Sequence, residues 1–194
     1  MDVSEILSPL NDVQRNAVAS ENPSMLVLAG AGSGKTRVLV HRIAWLIRAK
    51  NISPQSILAV TFTNKAAREM RTRIEEMLQV PSHGMWVGTF HGLAHRLLKY
   101  HWREAGLVEN FQILDSDDQL RLVKRVVRGL DLDESRWPPK QAQWYINSQK
   151  DEGLRAADVM APLGDLYVKT MAKIYHEYEQ VCSRGSLVDF AELL

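Results

Sequence analysis

The stretch Ala29–Thr36, which reads Ala-Gly-Ala-Gly-Ser-Gly-Lys-Thr, has residue types and spacing suited to holding a phosphate. It departs from the strict phosphate-binding loop only at its first position, where alanine replaces glycine. Glycines allow the backbone to turn several N–H groups towards one anion. Lys35 would reach the β- and γ-phosphates of a nucleotide, and the Thr36 hydroxyl would bind Mg²⁺. The residues of this predicted nucleotide site are Ala29, Gly30, Ala31, Gly32, Ser33, Gly34, Lys35 and Thr36.

The elements predicted on either side of this loop are those that a phosphate site requires. Met25–Ala29 is a continuous apolar run between a proline-containing turn and a glycine, which predicts a buried parallel strand. A helix is predicted from Lys35 to about Ala49, with an apolar stripe that Arg42 interrupts. This helix would present its N-terminus, which carries about half a positive charge, to the bound phosphate.

Two more strands are predicted in the first half of the chain, at Ile57–Phe62 and Met85–Thr89. A helix between them, Lys65–Leu78, has its apolar residues on one face. A short helix capped by Asn11 and ending at Ala19 precedes the first strand. Strands separated by helices need crossover connections, so the predicted fold class is α/β, a parallel sheet with helices on its faces.

The second half of the chain changes to an almost entirely helical pattern. The change places a domain boundary near residue 90, with an α/β domain at residues 1–90 and a mostly helical domain at residues 91–194. A capping box that begins at Ser116 is predicted to open one of its helices. The other predicted elements are a helix from Phe90 towards Gly106, a strand at Phe111–Leu114, and helices ending near Gly129, Lys150 and Val181.

Polar and aromatic side chains follow two of the predicted strands. Thr61–Ala67 lies at the carboxyl end of one strand, and Thr89–Gly92 lies at the carboxyl end of the next. Ligands of open parallel sheets bind at this edge, which the phosphate loop shares. Aromatic rings combined with hydroxyl and amide donors are suited to holding single-stranded nucleic acid. Upstream, Gln14 offers the donor and the acceptor that match the edge of adenine.

Taken together, these segments resemble the superfamily-one DNA helicases of the UvrD/Rep/PcrA type, and the chain is similar to their N-terminal part. The resemblance places the family's glutamine motif at Gln14, its Walker A loop at Ala29–Thr36, its motif Ia at Thr61–Ala67 and its motif Ib at Thr89–Gly92. It continues through Phe111–Asp115 and Leu187–Phe190, so it covers the whole chain. It implies an ATP-dependent helicase that moves 3′ to 5′ on single-stranded DNA and serves DNA repair.

The resemblance also implies roles for individual residues. Lys35 and Thr36 would be catalytic, with Thr36 as the Mg²⁺ ligand, and Gln14 and Arg37 would hold adenine. The implied cofactors are ATP and Mg²⁺, and the implied partners are single-stranded DNA, junctions of single- and double-stranded DNA, and repair proteins. The residues expected to line the single-strand track are Phe62, Thr63, Asn64, Thr89, Phe90 and His91.

The acids that would complete such a motor are not found in this sequence. Mg²⁺ binding and water activation need a pair of acids after a run of about four apolar residues. Asp115 and Asp189 follow shorter apolar pieces, and neither has an adjacent glutamate. The resemblance places the acid pair beyond Leu194, so the implied P-loop NTPase (RecA-like) sheet of subdomain 1A is incomplete and is followed by a truncated helical subdomain 1B. We expect such a fragment to bind nucleotide at most weakly, and neither to hydrolyse ATP efficiently nor to unwind DNA.

The composition restricts the remaining possibilities. Lys and Arg number 24 against 23 Asp and Glu, and the net charge of +1 excludes a polybasic mode of DNA binding while permitting a local basic face. The single cysteine excludes an intramolecular disulfide framework. The N-terminus is acidic where a secretory signal would be basic, and no apolar run approaches the roughly 18 residues of a membrane helix. We therefore expect a cytoplasmic protein without a membrane segment.

Several side chains allow a structural as well as a functional interpretation. His91 and His95 share a helix face, but glycine stands at position 92 where a zinc protease has glutamate, so no zinc site is expected. Cys182 is expected to be a small buried apolar residue. The basic run on one predicted helix face is either solvated or a contact for duplex DNA or a partner. It consists of Arg121, Lys124, Arg125 and Arg128.

Two other functions remain open beside the helicase interpretation. A P-loop small-molecule kinase would need an acceptor site and an arginine-rich lid, and would leave the loops after the second and third predicted strands unexplained. A non-catalytic fragment could instead dock a partner through its helical half. Binding of nucleotide and of single-stranded DNA distinguishes the three.

Overall fold

The computed structural model describes residues 3–79, 81 and 84–193. The chain divides into two compact units, with the boundary between Leu93 and Ala94. In the first unit, helices form where apolar residues recur at helical spacing, and strands form at two short apolar runs. Its elements are α1 (Ser4–Leu7), α2 (Asp12–Ala19), α3 (Lys35–Arg48), β1 (Leu58–Thr61), α4 (Asn64–Leu78), β2 (Trp86–Thr89) and the start of α5 (Phe90–Tyr100).

Strands β1 and β2 form a parallel pair, with Leu58 opposite Trp86 and Thr61 opposite Thr89. Helix α4 makes the crossover between them, so the predicted parallel arrangement of these two strands is confirmed. One face of the pair, with Ala59 and Val87, is buried in a core that also takes residues from α2, α3 and α4. The opposite face is less covered, since Leu58 is 64% exposed.

The predicted strand at Met25–Ala29 is wrong. The segment forms no strand, and its four large apolar side chains are between 42% and 86% exposed. A strand requires a neighbouring strand to satisfy its backbone N–H and C=O groups. Within the described residues, the sheet of this unit contains β1 and β2 alone, and neither pairs with this segment. The apolar composition of this segment suggests a strand, but it does not provide the neighbouring strand with which the segment would have to pair.

The structure explains the cap of α2 and the basic residue, Arg42, that interrupts the apolar stripe of α3. The Asn11 side chain accepts a hydrogen bond from the Gln14 backbone N–H, which confirms the predicted start of α2. Arg42 points from the apolar face of α3 to the C-terminal end of α2. There it donates to the carbonyl oxygens of Val18 and Ser20 at 2.6 and 2.7 Å. A cation at this end of a helix is favourable because the last carbonyl groups are unpaired and carry partial negative charge.

The second unit is mostly helical, as predicted, but it also contains a second parallel strand pair. Its core lies where α6, α7 and α8 meet, around Val123, Val127, Ile146 and Met171. The strand expected at Phe111–Leu114 forms as β3, and it pairs with a β4 that the sequence reasoning did not foresee. Its elements are the rest of α5, β3 (Gln112–Leu114), α6 (Ser116–Gly129), α7 (Pro139–Asp151), α8 (Leu166–Gly185) and β4 (Leu187–Asp189).

Two predicted boundaries in this unit differ from the structure. Helix α5 ends at Tyr100 and gives way to turns before Gly106. The predicted capping box at Ser116 is wrong, because Asp115 is the residue that caps α6. Its carboxylate accepts hydrogen bonds from the backbone N–H groups of Asp117 and Asp118 at 2.9 and 2.8 Å. A carboxylate at this position satisfies two donors at once, which the Ser116 side chain inside the first turn does not do.

Candidate functional site

The loop at Ala29–Thr36 has the backbone shape that its glycines predict. Gly32 and Gly34 have φ angles of +74° and +85°, in the left-handed region that favours glycine. Gly34 is also the N-cap of α3, so the loop runs directly into the first turn of that helix. A Cβ atom on Gly34 would lie 3.0 Å from the Gln14 side-chain nitrogen, so the Gln14 side chain would have to shift to admit a larger residue. The loop therefore depends on glycine at positions 32 and 34 for its conformation.

The Lys35 side chain is folded back over this loop. Its ammonium group donates to the carbonyl oxygens of Ala29 and Gly30 at 2.8 and 2.7 Å. The Ser33 hydroxyl donates to the same Gly30 oxygen at 2.7 Å. Thr36 lies exposed in the first turn of α3. A phosphate oxygen is a stronger acceptor than a neutral carbonyl, so Lys35 can exchange these partners for an anion at the mouth of the loop.

Gln14 and Arg37 connect the loop to the segment that precedes α2. The Gln14 amide nitrogen donates to the Ser33 carbonyl oxygen at 3.0 Å, across 19 positions of sequence. The Gln14 amide oxygen accepts from the Asn11 backbone N–H at 3.3 Å, within the cap of α2. Arg37 donates to the Pro9 carbonyl oxygen at 2.8 Å. The structure thus brings the predicted adenine-binding residues to the phosphate loop, with both ends of the Gln14 amide already engaged.

A second group of side chains meets where β1 and β2 end. Phe62 and Phe90 each follow a strand by one residue, and their ring centroids lie 6.0 Å apart with the planes tilted by 54°. The rings are 91% and 50% exposed. Two neighbouring aromatic rings held in solvent at strand ends form a surface on which an unpaired base can stack. Sequence reasoning predicted both rings, and the strand register explains why they are neighbours.

The polar members of the predicted single-strand track are close neighbours of these rings in the sequence. The Thr63 hydroxyl accepts from the Ala66 backbone N–H at 3.1 Å and thereby caps α4. The Thr89 hydroxyl accepts from the Gly92 backbone N–H at 3.2 Å. Asn64 begins α4 and His91 lies in the first turn of α5, and both are exposed. The two threonines therefore fix the loop conformations, while Asn64 and His91 face solvent beside the rings.

Asp189 is a polar centre that the sequence did not reveal. It is 1% exposed, and its Oδ2 atom accepts from Tyr178, Lys150 and Gln119 at 2.6, 2.7 and 3.2 Å. Its Oδ1 atom accepts from the Glu192 backbone N–H at 2.8 Å. Asp189 is thus committed to internal hydrogen bonds, as Asp115 is to the cap of α6. The carboxylates of Asp115 and Asp189, the two acids that follow short apolar segments, are therefore both engaged in hydrogen bonds within the protein.

His95 and Cys182, for which the sequence allowed a functional interpretation, both pack within the protein. His95 packs edge-on against Phe111 with a centroid distance of 5.7 Å, and burial together with the charge of Lys99 lowers its pKa. Cys182 is buried, which confirms that prediction, and burial raises the pKa of its thiol to about 11. The described part of the chain contains no group of three or more His, Cys, Asp or Glu that could hold a metal ion. None of its helices is long and apolar enough to cross a membrane.

Comparison with known proteins gives consistent matches over the whole chain. A family model described as UvrD/REP helicase N-terminal domain matches residues 10–194. The chain is 61% identical over 194 residues to DNA helicase II of Escherichia coli K12, which covers 100% of the chain and 27% of that protein. It is 38% identical over 191 residues to the ATP-dependent DNA helicase PcrA of Bacillus subtilis 168, covering 98% of the chain and 26% of that protein. The chain therefore spans about a quarter of the length of these relatives.

Proposed function

This chain belongs to the UvrD/REP helicase family, and on that premise we propose that it is the part of an ATP-dependent DNA helicase that binds ATP and single-stranded DNA. The observation that carries the proposal is the loop at Ala29–Thr36. Its left-handed glycines, the Lys35 side chain folded over it and its hydrogen bond from Gln14 support a role in binding phosphate. In the whole protein, we propose that ATP hydrolysis drives 3′-to-5′ movement on DNA during repair, in the cytoplasm.

The proposed fold of the first unit is the N-terminal part of a RecA-like motor subdomain, 1A, and the second unit corresponds to subdomain 1B. The order of strand, crossover helix and parallel strand after the phosphate loop supports this assignment. The exposed run from Met25 to Leu28 supports it too, because four large apolar side chains immediately before a phosphate loop are suited to a strand of a larger sheet. The additional strands would come from the longer chain of a complete helicase.

For the nucleotide, each residue has a proposed part. Lys35 exchanges the carbonyl oxygens of Ala29 and Gly30 for phosphate oxygens and neutralises their charge. The Thr36 hydroxyl would hold Mg²⁺, which would neutralise phosphate charge. Arg37 and Gln14, which donate to the carbonyl oxygens of Pro9 and Ser33, hold adenine. Because both ends of the Gln14 amide are engaged, adenine binding requires one of those hydrogen bonds to be released.

For DNA, we propose that the paired rings of Phe62 and Phe90 stack on bases, while Thr63, Asn64, Thr89 and His91 contact the backbone. Stacking on an aromatic ring contributes about 1–3 kcal/mol per base. Phenylalanine side chains are usually buried, because their exposure to water is unfavourable. The 91% exposure of Phe62 therefore supports its role in binding bases. The loops place both rings on one surface without further rearrangement.

We further propose that this fragment does not turn ATP over efficiently. Asp115 and Asp189 are held by a helix cap and by a buried network, so neither is available to activate water. Steady ATP hydrolysis stimulated by single-stranded DNA, in a preparation free of longer helicase, would contradict this.

The test measures two affinities for the same set of variants, by fluorescence anisotropy of a labelled single-stranded oligonucleotide and of a labelled non-hydrolysable ATP analogue. Lys35→Ala is expected to weaken nucleotide binding at least about tenfold and to leave DNA binding intact. Phe62→Ala is expected to weaken DNA binding by about fivefold or more and to leave nucleotide binding intact. Lys173→Ala and Trp144→Ala, which remove an exposed cation and a 63% exposed ring from the second unit, are the matched controls.

The outcomes separate this proposal from its alternatives. Nucleotide binding without DNA binding would favour a small-molecule kinase. Binding of neither ligand would favour a partner-docking fragment. Equal losses for Phe62→Ala and Trp144→Ala would show that the rings at the strand ends are not a DNA surface.

A further inference from the structure

The outer edge of β3 has an unpaired backbone. The Gln112 N–H donates to the Ser186 carbonyl oxygen at 3.0 Å, and Gln112 stands opposite Leu187 in the ladder. In a parallel ladder, alternate residues bond to the same neighbouring strand. The N–H and C=O of Ile113 therefore point away from β4. No other described residue offers them a hydrogen bond, which leaves one donor and one acceptor open at this edge.

A groove of about 600 Å³ lies along this edge. It is lined by Gln112, Ile113 and Leu114, which are consecutive residues of one strand. Gln112, Leu114 and, across the ladder, Leu187 lie on one face of the strand pair. Because consecutive strand residues point to opposite faces, Ile113 lines this groove through its backbone, so the groove covers that face and reaches the outer edge of β3. Its other wall is α6, and the apolar part of its lining includes the buried Leu122 together with Leu187.

The wall formed by α6 is positively charged. The basic residues Arg121, Lys124, Arg125 and Arg128 all line the groove. Asp118 pairs with Arg121 at 2.6 Å, and Glu134 pairs with Arg128 and Lys124 at 2.5 and 3.7 Å. Arg125 is exposed and has no ion pair among the described residues. Two acids against four cations leave a net positive wall, with Arg125 as its unpaired charge.

We propose that this groove binds an extended acidic peptide segment of a partner protein, which adds a short strand to the outer edge of β3. The peptide backbone pairs with the N–H and C=O of Ile113, and its acidic side chains face Arg125 and Arg121. Addition of a strand to an exposed sheet edge is an established mode of peptide recognition. The lining explains why the occupant is a peptide rather than DNA. A phosphate backbone does not use an open strand edge or apolar side chains, whereas a peptide uses both.

This site is separate from the proposed nucleotide and DNA sites. All its residues lie in the second unit, and none belongs to the phosphate loop or to the Phe62–Phe90 surface. If the peptide-binding proposal failed, the proposed function would be unaffected, and failure of the proposed function would leave this proposal unaffected.

The experiment uses the full 194-residue chain and a labelled peptide of about eight residues that alternates glutamate with valine. We expect saturable binding in the micromolar to millimolar range, and slower hydrogen exchange of the Ile113 amide by about tenfold at saturation. Two matched peptides test the mode of binding. A peptide with lysine in place of glutamate is expected not to bind, and one with methylated backbone nitrogens at alternate residues is expected not to protect Ile113.

Variants of the protein test the basic wall. Arg125→Glu is expected to weaken binding of the acidic peptide at least about fivefold, and Arg125→Lys is expected to retain most of it. Lys173→Glu makes the same charge change at an exposed position of α8 outside the groove, and it should leave the affinity within about twofold. Since both positions are exposed, the three variants are expected to fold like the native protein.

Three results would overturn the proposal. The first is no saturable binding of the acidic peptide up to about millimolar concentration. The second is equal weakening by Arg125→Glu and Lys173→Glu, which would mean that overall charge alone controls binding. The third is displacement of the peptide by duplex or single-stranded DNA together with an equal loss of DNA affinity in Arg125→Glu, which would make this face a nucleic-acid contact.

Discussion

At the scale of single residues, the buried carboxylate of Asp189 connects several elements of the second unit through hydrogen bonds. It receives hydrogen bonds from α6, α7 and α8 through Gln119, Lys150 and Tyr178. Its own strand, β4, is thereby tied to all three helices. Lys150 is 6% exposed at its side chain and also contacts Glu192 at 2.9 Å. A buried ion of either sign depends on its partner, because water no longer solvates it.

The first prediction concerns this pair. Lys150→Ala leaves Asp189 buried without its cation, so the free energy of unfolding should fall by about 3–5 kcal/mol. Urea denaturation followed by circular dichroism measures the change. Lys173→Ala removes an exposed lysine from α8 and should change the same quantity by less than about 0.5 kcal/mol. If the two variants were equally stable, the network around Asp189 would not contribute to folding.

The second prediction concerns pH. Burial lowers the pKa of Lys150, but the charges of Asp189 and Glu192 outweigh it, so the pKa is raised above the ordinary 10.5. A raised lysine pKa contributes stability that is fully present below the unfolded pKa and is lost as the pH rises through the folded pKa. The stability difference between the native chain and Lys150→Ala should therefore be constant from about pH 7 to pH 9 and should shrink in alkali above about pH 10.5. A difference that shrinks already near neutral pH would contradict the raised pKa.

At the scale of elements, the helix boundaries depend on side chains that satisfy the first backbone N–H groups. Thr63 caps α4, Asn11 caps α2 and Asp165 caps α8, each through one accepted hydrogen bond. Asp115 differs because its carboxylate accepts two N–H groups and also carries a negative charge at the positive end of α6. The stability of α6 should therefore be unusually sensitive to this residue.

The third prediction compares two adjacent positions. Asp115→Ala removes the cap of α6 and should lower the free energy of unfolding by about 1–2 kcal/mol, while Ser116→Ala should change it by less than about 0.5 kcal/mol. Urea denaturation of both variants decides between the cap seen in the structure and the capping box that the sequence suggested. A larger loss for Ser116→Ala would show that the serine is the cap in solution.

At the scale of the whole molecule, each unit has its own apolar core and its own pair of parallel strands. The first unit leaves Leu26 and Leu28 more than 80% exposed next to the phosphate loop. Exposed apolar runs of this kind add little to the stability of the unit itself.

The fourth prediction follows from that exposure. Leu26→Ser should change the free energy of unfolding of this chain by less than about 0.5 kcal/mol, because the side chain is already in water. Val87→Ser, which places a hydroxyl in the buried face of β2, should cost about 2–4 kcal/mol. Hydrogen exchange provides a second measurement, in which the amides of 26–28 exchange faster than those of β1 and β2. Protection of 26–28 as strong as that of Val87 would show that this segment forms a strand in solution.

Features that depend on near neighbours could be predicted from the sequence. The starts of α2 and α4, the helix after the phosphate loop and the glycines of that loop follow from caps, periodicity and backbone sterics, which act over a few residues. The parallel pairing of β1 and β2 also followed, because a helix of the length of α4 must cross between them. The same short-range signals predicted the glycine-rich loop at Ala29–Thr36 and the rings of Phe62 and Phe90 at the strand ends.

Features that depend on distant partners required the tertiary structure. The run Met25–Leu28 has the composition of a strand, yet only a neighbouring strand can satisfy its backbone, and sequence composition does not say whether one is present. The pairing of β3 with β4 joins residues 75 positions apart, such as Gln112 and Leu187, and the role of Asp189 depends on three helices meeting around it. Local sequence determined which segments could form helices, loops and strands. Tertiary contacts decided which of them did, because strand pairing and the burial of charge are satisfied only by atoms from elsewhere in the chain.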